Sequence, residues 1–101
     1  MKNKTVKFDL ENKLVLHLYV SGMSPKSIEA IENIKKLCKE YLHDPFELII
    51  TDLYKNPEAA VEHQIIFSPS LIKTSPPPKK LLIGTFKDAE KVIKGLGIPI
   101  N

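Results

Sequence analysis

The sequence predicts an α/β fold in which strands and helices follow the order βαβ and then αββα. Two observations predict it. Leu14–Val20 and residues 46–53 are short apolar runs separated by one amphipathic helical stretch, the layout of a crossover that joins two parallel strands. Beyond them, a helix-start signal at Asn56-Pro57 and a helical apolar pattern over residues 88–96 bracket two more short apolar runs. The size fits one core, because 101 residues with 43% hydrophobic and 27% charged side chains is ordinary composition for a single domain.

Residues 1–13 are polar and lack periodicity, so they read as a flexible lead-in, although Val6, Phe8 and Leu10 alternate as in a short extra strand. In LVLHLYV, residues Leu14, Leu16, Leu18 and Val20 point one way and Val15, His17 and Tyr19 the other. Both sets are largely apolar, as in a central strand covered on two sides. Ser21-Gly22-Met23 is a turn. Ser24-Pro25 then starts a helix, with a hydroxyl as cap and proline at the first helical position. Its apolar stripe is Ile28, Ile31, Ile34, Cys38 and Leu42, widened by Ala30, Leu37 and Tyr41, and His43-Asp44-Pro45 ends it. Residues 46–53 form the second strand. Asn56-Pro57 opens a short helix in PEAAVEHQII, which the 67–70 segment Phe-Ser-Pro-Ser breaks. Residues 70–74 and 79–84 are strands around a stiff turn, Ser75-Pro76-Pro77-Pro78. The last helix covers 88–96 with Ala89, Val92, Ile93 and Leu96 inward, and Gly95 and Gly97 read as helix-end residues. The order βαβαββα is that of a thioredoxin-like fold, with the domain at 14–97 and a short tail at 98–101. The first half is locally decisive. In the second half, runs such as VEHQIIF and KKLLIGTF fit helix or strand equally well.

The charge is uneven. Residues 1–13 carry a net +2, residues 14–65 a net −3 and residues 66–101 a net +4. All fifteen basic residues are lysine, so the bidentate guanidinium contacts that read guanine or grip phosphate are missing and no nucleic-acid partner is expected. The basic last third suits an acidic protein partner. No apolar run approaches the roughly 20 residues of a membrane span, and the N-terminus lacks an apolar signal core, which points to a cytoplasmic protein without a membrane partner. The single cysteine, Cys38, excludes an internal disulfide and a cysteine-based zinc cluster.

Catalytic chemistry is largely missing. A thioredoxin-like oxidoreductase needs a thiolate at the start of its first helix, where the helix dipole lowers the thiol pKa. Here that position reads Gly22-Met23-Ser24-Pro25. Cys38 lies on the apolar stripe about four turns further on and reads as a small buried hydrophobe. His17, His43 and His63 lack metal-ligand spacing, and Asp52 reads as a turn or capping residue. No Gly-rich phosphate loop or nucleophile elbow occurs, and no cofactor is implied. Ser68-Pro69 stands where such a fold places a proline before its third strand, and trans is the ordinary expectation for the bond.

The segments Leu16-His17-Leu18-Tyr19-Val20-Ser21-Gly22 and Ser24-Pro25-x-Ser27 resemble the opening LxLYVxGxTPxS of the KaiB family of bacterial clock proteins. Asp52-Leu53 with Asn56-Pro57, then Ser68-Pro69-Ser70-Leu71, resembles the family's IDVxxxP and ATPTL segments. Pro76-Pro77-Pro78 followed by Ile83-Gly84 resembles its PxP…RRxIGD segment, so the likeness runs from about Leu14 to Leu96. The resemblance implies a protein without enzymatic activity that binds the hexameric ATPase KaiC and, in cyanobacteria, helps to sequester KaiA. It also implies two folds: a self-associated ground state, dimer or tetramer, of order βαββααβ, and a partner-binding thioredoxin-like monomer in which the second half has refolded.

The family's paired arginines correspond to Lys79-Lys80 or, shifted by one, to Lys80-Leu81, its Gly-Asp reads Gly84-Thr85, and the acidic tail of cyanobacterial members has no counterpart. These departures weigh against KaiA as a partner and suggest a setting outside the core clock, such as stress adaptation. The expected contacts with an acidic ATPase surface are Lys73, Lys79 and Lys80, and the expected fold-switch positions are Ser68, Pro69, Gly95 and Gly97. The rival readings are an adaptor for another signalling kinase and, against the missing thiols, a redox protein.

Overall fold

The computed structural model describes residues 13–99, so the lead-in with its alternating Val6, Phe8 and Leu10, and the end of the tail, lie outside the described residues. Seven elements follow in the order β1 (Leu14–Val20), α1 (Pro25–Tyr41), β2 (Phe46–Asp52), α2 (Pro57–Glu62), β3 (Ser70–Ser75), β4 (Lys80–Ile83) and α3 (Ala89–Leu96). This is the thioredoxin-like order, not βαββααβ. The sheet runs β2-β1-β3-β4, with β1 parallel to β2 and antiparallel to β3, and β3 antiparallel to β4.

Register follows from the alternation in β1. Leu16, Leu18 and Val20 face the helices together with Leu48 of β2 and Leu71 of β3, and they meet Ala30, Ile34, Leu37 and Cys38 of α1 and Val92, Ile93 and Leu96 of α3. Leu16, Leu18, Ile34 and Leu96 are fully buried, so truncating one of them costs about 2–5 kcal/mol. The other sheet face carries His17, Tyr19, Thr51, Ile72, Leu81 and Ile83. Tyr19 and Ile72 are buried there, whereas Leu81 and Ile83 on the β4 edge stay exposed. Two-sided coverage of β1 therefore fades toward β4.

Helix α1 starts as its sequence dictates. Ser24 is the cap and its Oγ accepts the Ser27 N–H, with proline in the first turn. Its buried stripe is Ser27, Ala30, Ile34, Leu37 and Cys38, and Ile28 is exposed. The stripe is thus rotated from the sequence reading, because the sheet covers the side of the helix that carries Ser27 in its first turn. Helix α2 is shorter than PEAAVEHQII. It stops at Glu62, and Gln64 adopts a left-handed conformation that ends the helical path. Asp88 caps α3, its Oδ1 accepting the Lys91 N–H.

Gly97 does end α3. Its φ is +71°, and the N–H groups of Gly97 and Ile98 donate to Lys94 and Ile93 carbonyls, which closes the last turn. Gly95 is not a helix end. It lies within the last turn, where an added Cβ would come 3.0 Å from Leu82 Cδ2 of β4, so its small size serves helix–sheet packing. The Ser68-Pro69 bond is cis rather than trans, as are Ser75-Pro76 and Pro77-Pro78; for X-Pro bonds the intrinsic preference is small enough for tertiary context to decide.

Candidate partner-binding pole

The C-terminal ends of β1 and β2 and the loop before β3 converge at one pole of the domain. Serines tie it together. Ser27 is buried, and its Oγ accepts the Ser21 N–H (3.2 Å) and the Ser24 hydroxyl (2.9 Å) while donating to the Ser21 carbonyl. Ser21 and Ser68 share a hydroxyl–hydroxyl hydrogen bond of 2.6 Å, which joins the β1–α1 turn to the loop carrying Pro69. The Ser70 hydroxyl donates to the Phe67 carbonyl. Asp52 fixes the neighbouring turn, its Oδ1 accepting the N–H groups of Gly22 (2.8 Å) and Tyr54 (2.9 Å). These bonds, the Gly22 bond foremost, hold its carboxyl below the usual carboxylate range.

Apolar side chains project from this polar scaffold. Met23, Tyr54 and Phe67 are exposed, and Ile66 is 82% exposed. Gly22 has a φ of +66°, and an added Cβ would lie 2.7 Å from Tyr54 Cδ2, so glycine meets both the backbone and the ring above it. A strip continues along the β4 edge from Phe67 through Ile83 and Leu81 to Lys80 and Lys79, all exposed. The Gly84 N–H donates to the Pro69 carbonyl and pins the end of that edge to the pole.

The place of a catalytic dithiol is thus filled by Gly22-Met23-Ser24-Pro25 and hydroxyls. Cys38 is in the core, and burial pushes its thiol up to about 11, so little thiolate exists at neutral pH. On the second sheet face His17 is stacked on Tyr19, with ring centroids 4.2 Å apart. Its Nε2 lies 2.8 Å from Thr51 Oγ1 and its Nδ1 3.2 Å from the Tyr19 hydroxyl. Burial, reinforced by His63, lowers the His17 pKa. Among the described residues no group of three or more His, Cys, Asp or Glu side chains is placed to hold a metal ion, and no helix is long and apolar enough to cross a membrane.

The residues singled out in the sequence fall into two groups. Ser68 and Pro69 belong to the pole. Lys73, Lys80 and Gly97 lie together at the opposite end, where Lys73 of β3 pairs directly with Lys80 of β4. Lys73 is not a surface contact residue in this fold. It is 2% exposed, because the alternation that buries Leu71 puts the residue two positions on against the helices as well. Lys79 and Lys80 are exposed. Neither the apolar rim of Met23, Tyr54, Ile66 and Phe67 nor the serine scaffold was apparent from the sequence, apart from Ser24 as the cap of the first helix.

A KaiB domain model matches residues 17–98 of the chain. The chain belongs to the KaiB family. It is 42% identical to the circadian clock protein KaiB3 of Synechocystis over 86% of this chain and 85% of that protein. It is 39% identical to the circadian clock oscillator protein KaiB of Microcystis aeruginosa, over 83% and 81% of the two chains. Among solved structures, the N-terminal domain of Synechococcus elongatus SasA superposes with a TM-score of 0.65 at 22% identity, covering 85% of each chain. Fasciola hepatica thioredoxin superposes with a TM-score of 0.69 at 14% identity, covering 93% and 88%. At those identities the two structures establish the thioredoxin-like fold. The KaiB-like segments converge on the pole: Gly22 seats Tyr54, Ser24-Pro25 starts α1, Asp52 clamps both turns, and Ser68-Pro69 is held by Ser21.

Proposed function

We propose that this KaiB-family chain is a non-catalytic regulator that binds a KaiC-type hexameric ATPase and modulates its phosphorylation or ATPase cycle. One observation carries the reading. The pole that would hold a dithiol in a thioredoxin-like enzyme is a hydrogen-bonded serine scaffold rimmed by exposed Met23, Tyr54, Ile66 and Phe67, a surface built to bind and without a nucleophile. The names of the relatives, clock proteins, point the same way. The contact strip runs from Phe67 down β4 to Lys79 and Lys80, whose charges suit an acidic partner surface.

Binding is coupled to a change of fold after Asp52, with Ser68, Pro69, Gly95 and Gly97 as the switch positions. In the other arrangement the chain self-associates. A partner that takes only this form draws the population toward it, and its apparent affinity falls by the fraction of chains in the competent form. In a host without a cyanobacterial clock, the output is stress adaptation rather than timing, and KaiA has no role.

The test is co-sedimentation with the host's KaiC-type ATPase, with and without ATP, over hours to days. Wild type binds. Phe67→Ser and the pair Lys79→Glu, Lys80→Glu each weaken binding at least tenfold with the fold unchanged. Failure of wild type to bind at high concentration overturns the reading in favour of an adaptor for another signalling kinase, and full binding by Phe67→Ser moves the contact surface elsewhere.

A further inference from the structure

The end of the domain opposite the Ser21–Asp52–Phe67 pole contains a cavity of about 630 Å³, within the range of small-molecule sites. Its apolar walls are Leu14, Tyr41, Leu42, Pro76, Ile98 and Pro99, and Lys73 reaches it from the sheet. Lys73 stands on the core face of β3, opposite Leu16 and two residues from Leu71, and is 2% exposed. No ion pair or hydrogen bond engages its ammonium among the described residues. Lys80 lies directly across from it, which adds like-charge repulsion. Burial first, and then Lys80, lowers the Lys73 pKa. One neighbour favours the charge: an atom added at Gly97 would be 3.9 Å from Nζ, so the ammonium lies by the carbonyl end of α3.

Among the described residues no buried side-chain nitrogen or oxygen lacks a hydrogen-bond partner, so the Lys73 stem is buried while its ammonium tip still meets solvent in the groove, a cation with no protein counter-ion beside apolar walls. The surroundings also restrict which anion fits. Glu40 and Asp44 stand at the groove on the exposed end of α1 and the turn after it, beside His43. Together with the two helix C-termini they disfavour a multivalent anion. One ammonium balances one negative charge, and the walls offer apolar contact for the rest of a ligand.

We propose that this groove binds a small amphipathic carboxylate, with its apolar body against Leu14, Tyr41 and Ile98 and its carboxylate on the Lys73 ammonium. The walls come from both halves of the chain, so occupancy favours this fold over any in which residues after 52 pack differently. That consequence rests on the fold change proposed above; the binding itself does not.

The experiment titrates the ¹⁵N-labelled protein with sodium octanoate and, separately, with the neutral octanamide, followed by two-dimensional amide spectra at pH 7. Octanoate gives saturable shifts at Leu14, Leu42, Lys73 and Gly97. Octanamide binds at least tenfold more weakly. Lys73→Met keeps the buried stem and loses the same factor, while Lys80→Met still binds. Absence of saturable shifts, equal affinity for the two probes, or an unchanged octanoate affinity in Lys73→Met overturns the proposal. Should Lys73→Met fail to fold, the comparison of the two probes on wild type decides alone.

Discussion

Gly97→Ala is expected to weaken this fold through backbone conformation alone. Gly97 closes α3 at a φ of +71°, and the nearest atom to an added Cβ is Lys73 Nζ at 3.9 Å, an ordinary contact. Steric overlap therefore contributes little. An L-residue in the left-handed region costs about 1–2 kcal/mol, and alanine returns roughly 0.4–1 kcal/mol by restricting the unfolded chain. The net loss is about 1 kcal/mol, close to a fivefold change in the folded-to-unfolded ratio. With a urea m-value of about 1–2 kcal/mol/M, the midpoint falls by roughly 0.5–1 M at unchanged m. Asparagine tolerates the left-handed region, so Gly97→Asn recovers part of the loss. Gly95→Ala is the contrast. Its backbone is helical, alanine gains helix propensity of about 1 kcal/mol, and the new methyl presses the flexible end of Leu82. Its midpoint stays above that of Gly97→Ala. A midpoint for Gly97→Ala equal to wild type, or Gly97→Asn no better than alanine, refutes the left-handed cap as a determinant of this fold.

Two further outcomes follow from the interior. The His17 pKa is lowered by burial and then by His63, so the unfolded chain takes up the proton at a higher pH than the folded one; the stability this contributes is complete above the ordinary value near 6.5 and is lost as pH falls through the folded value. The urea midpoint should decline on going from pH 7 to pH 5, and His17→Gln should flatten that decline; an equally steep decline in the variant counts against the assignment, with Tyr19, Thr51 and His63 around the ring and Glu62 beside His63. Cys38, with its thiol pushed up to about 11, should resist a disulfide reagent in the native protein and react on unfolding, and Cys38→Ser should cost about 1–3 kcal/mol by burying a hydroxyl; rapid native labelling would contradict its core position.

The elements themselves were legible wherever a local chemical signal sets them. Ser24-Pro25 and Asp88 start helices because a side-chain oxygen next to the first turn accepts an otherwise unpaired N–H, and both do so here. The alternation in LVLHLYV fixed which β1 residues face the helices. Even the burial of Lys73 was implicit in its spacing from Leu71, but a charged side chain two residues beyond a core leucine reads as surface when residue type is weighed over period. Asn56-Pro57 marked the start of α2, yet the helix ends earlier than its apolar content suggests, since exposed Val61 and Ile66 have nothing to pack against.

By itself the sequence determined the βαβ order of the first half, the central place of β1, the absence of a thiol at the first helix start, and the family. Those properties depend on residue type and on periods of two and 3.6 within a few residues of each other. Only the tertiary structure decided that the second half takes the αββα arrangement, that Gly95 packs under Leu82 while Gly97 turns the chain, that the Lys73 stem is buried, and that Ser21 meets Ser68 across forty-seven positions. Each of these is a contact between segments far apart in the chain. Short runs such as KKLLIGTF satisfy helix and strand equally until a neighbouring surface is present to bury one face and leave the other to solvent.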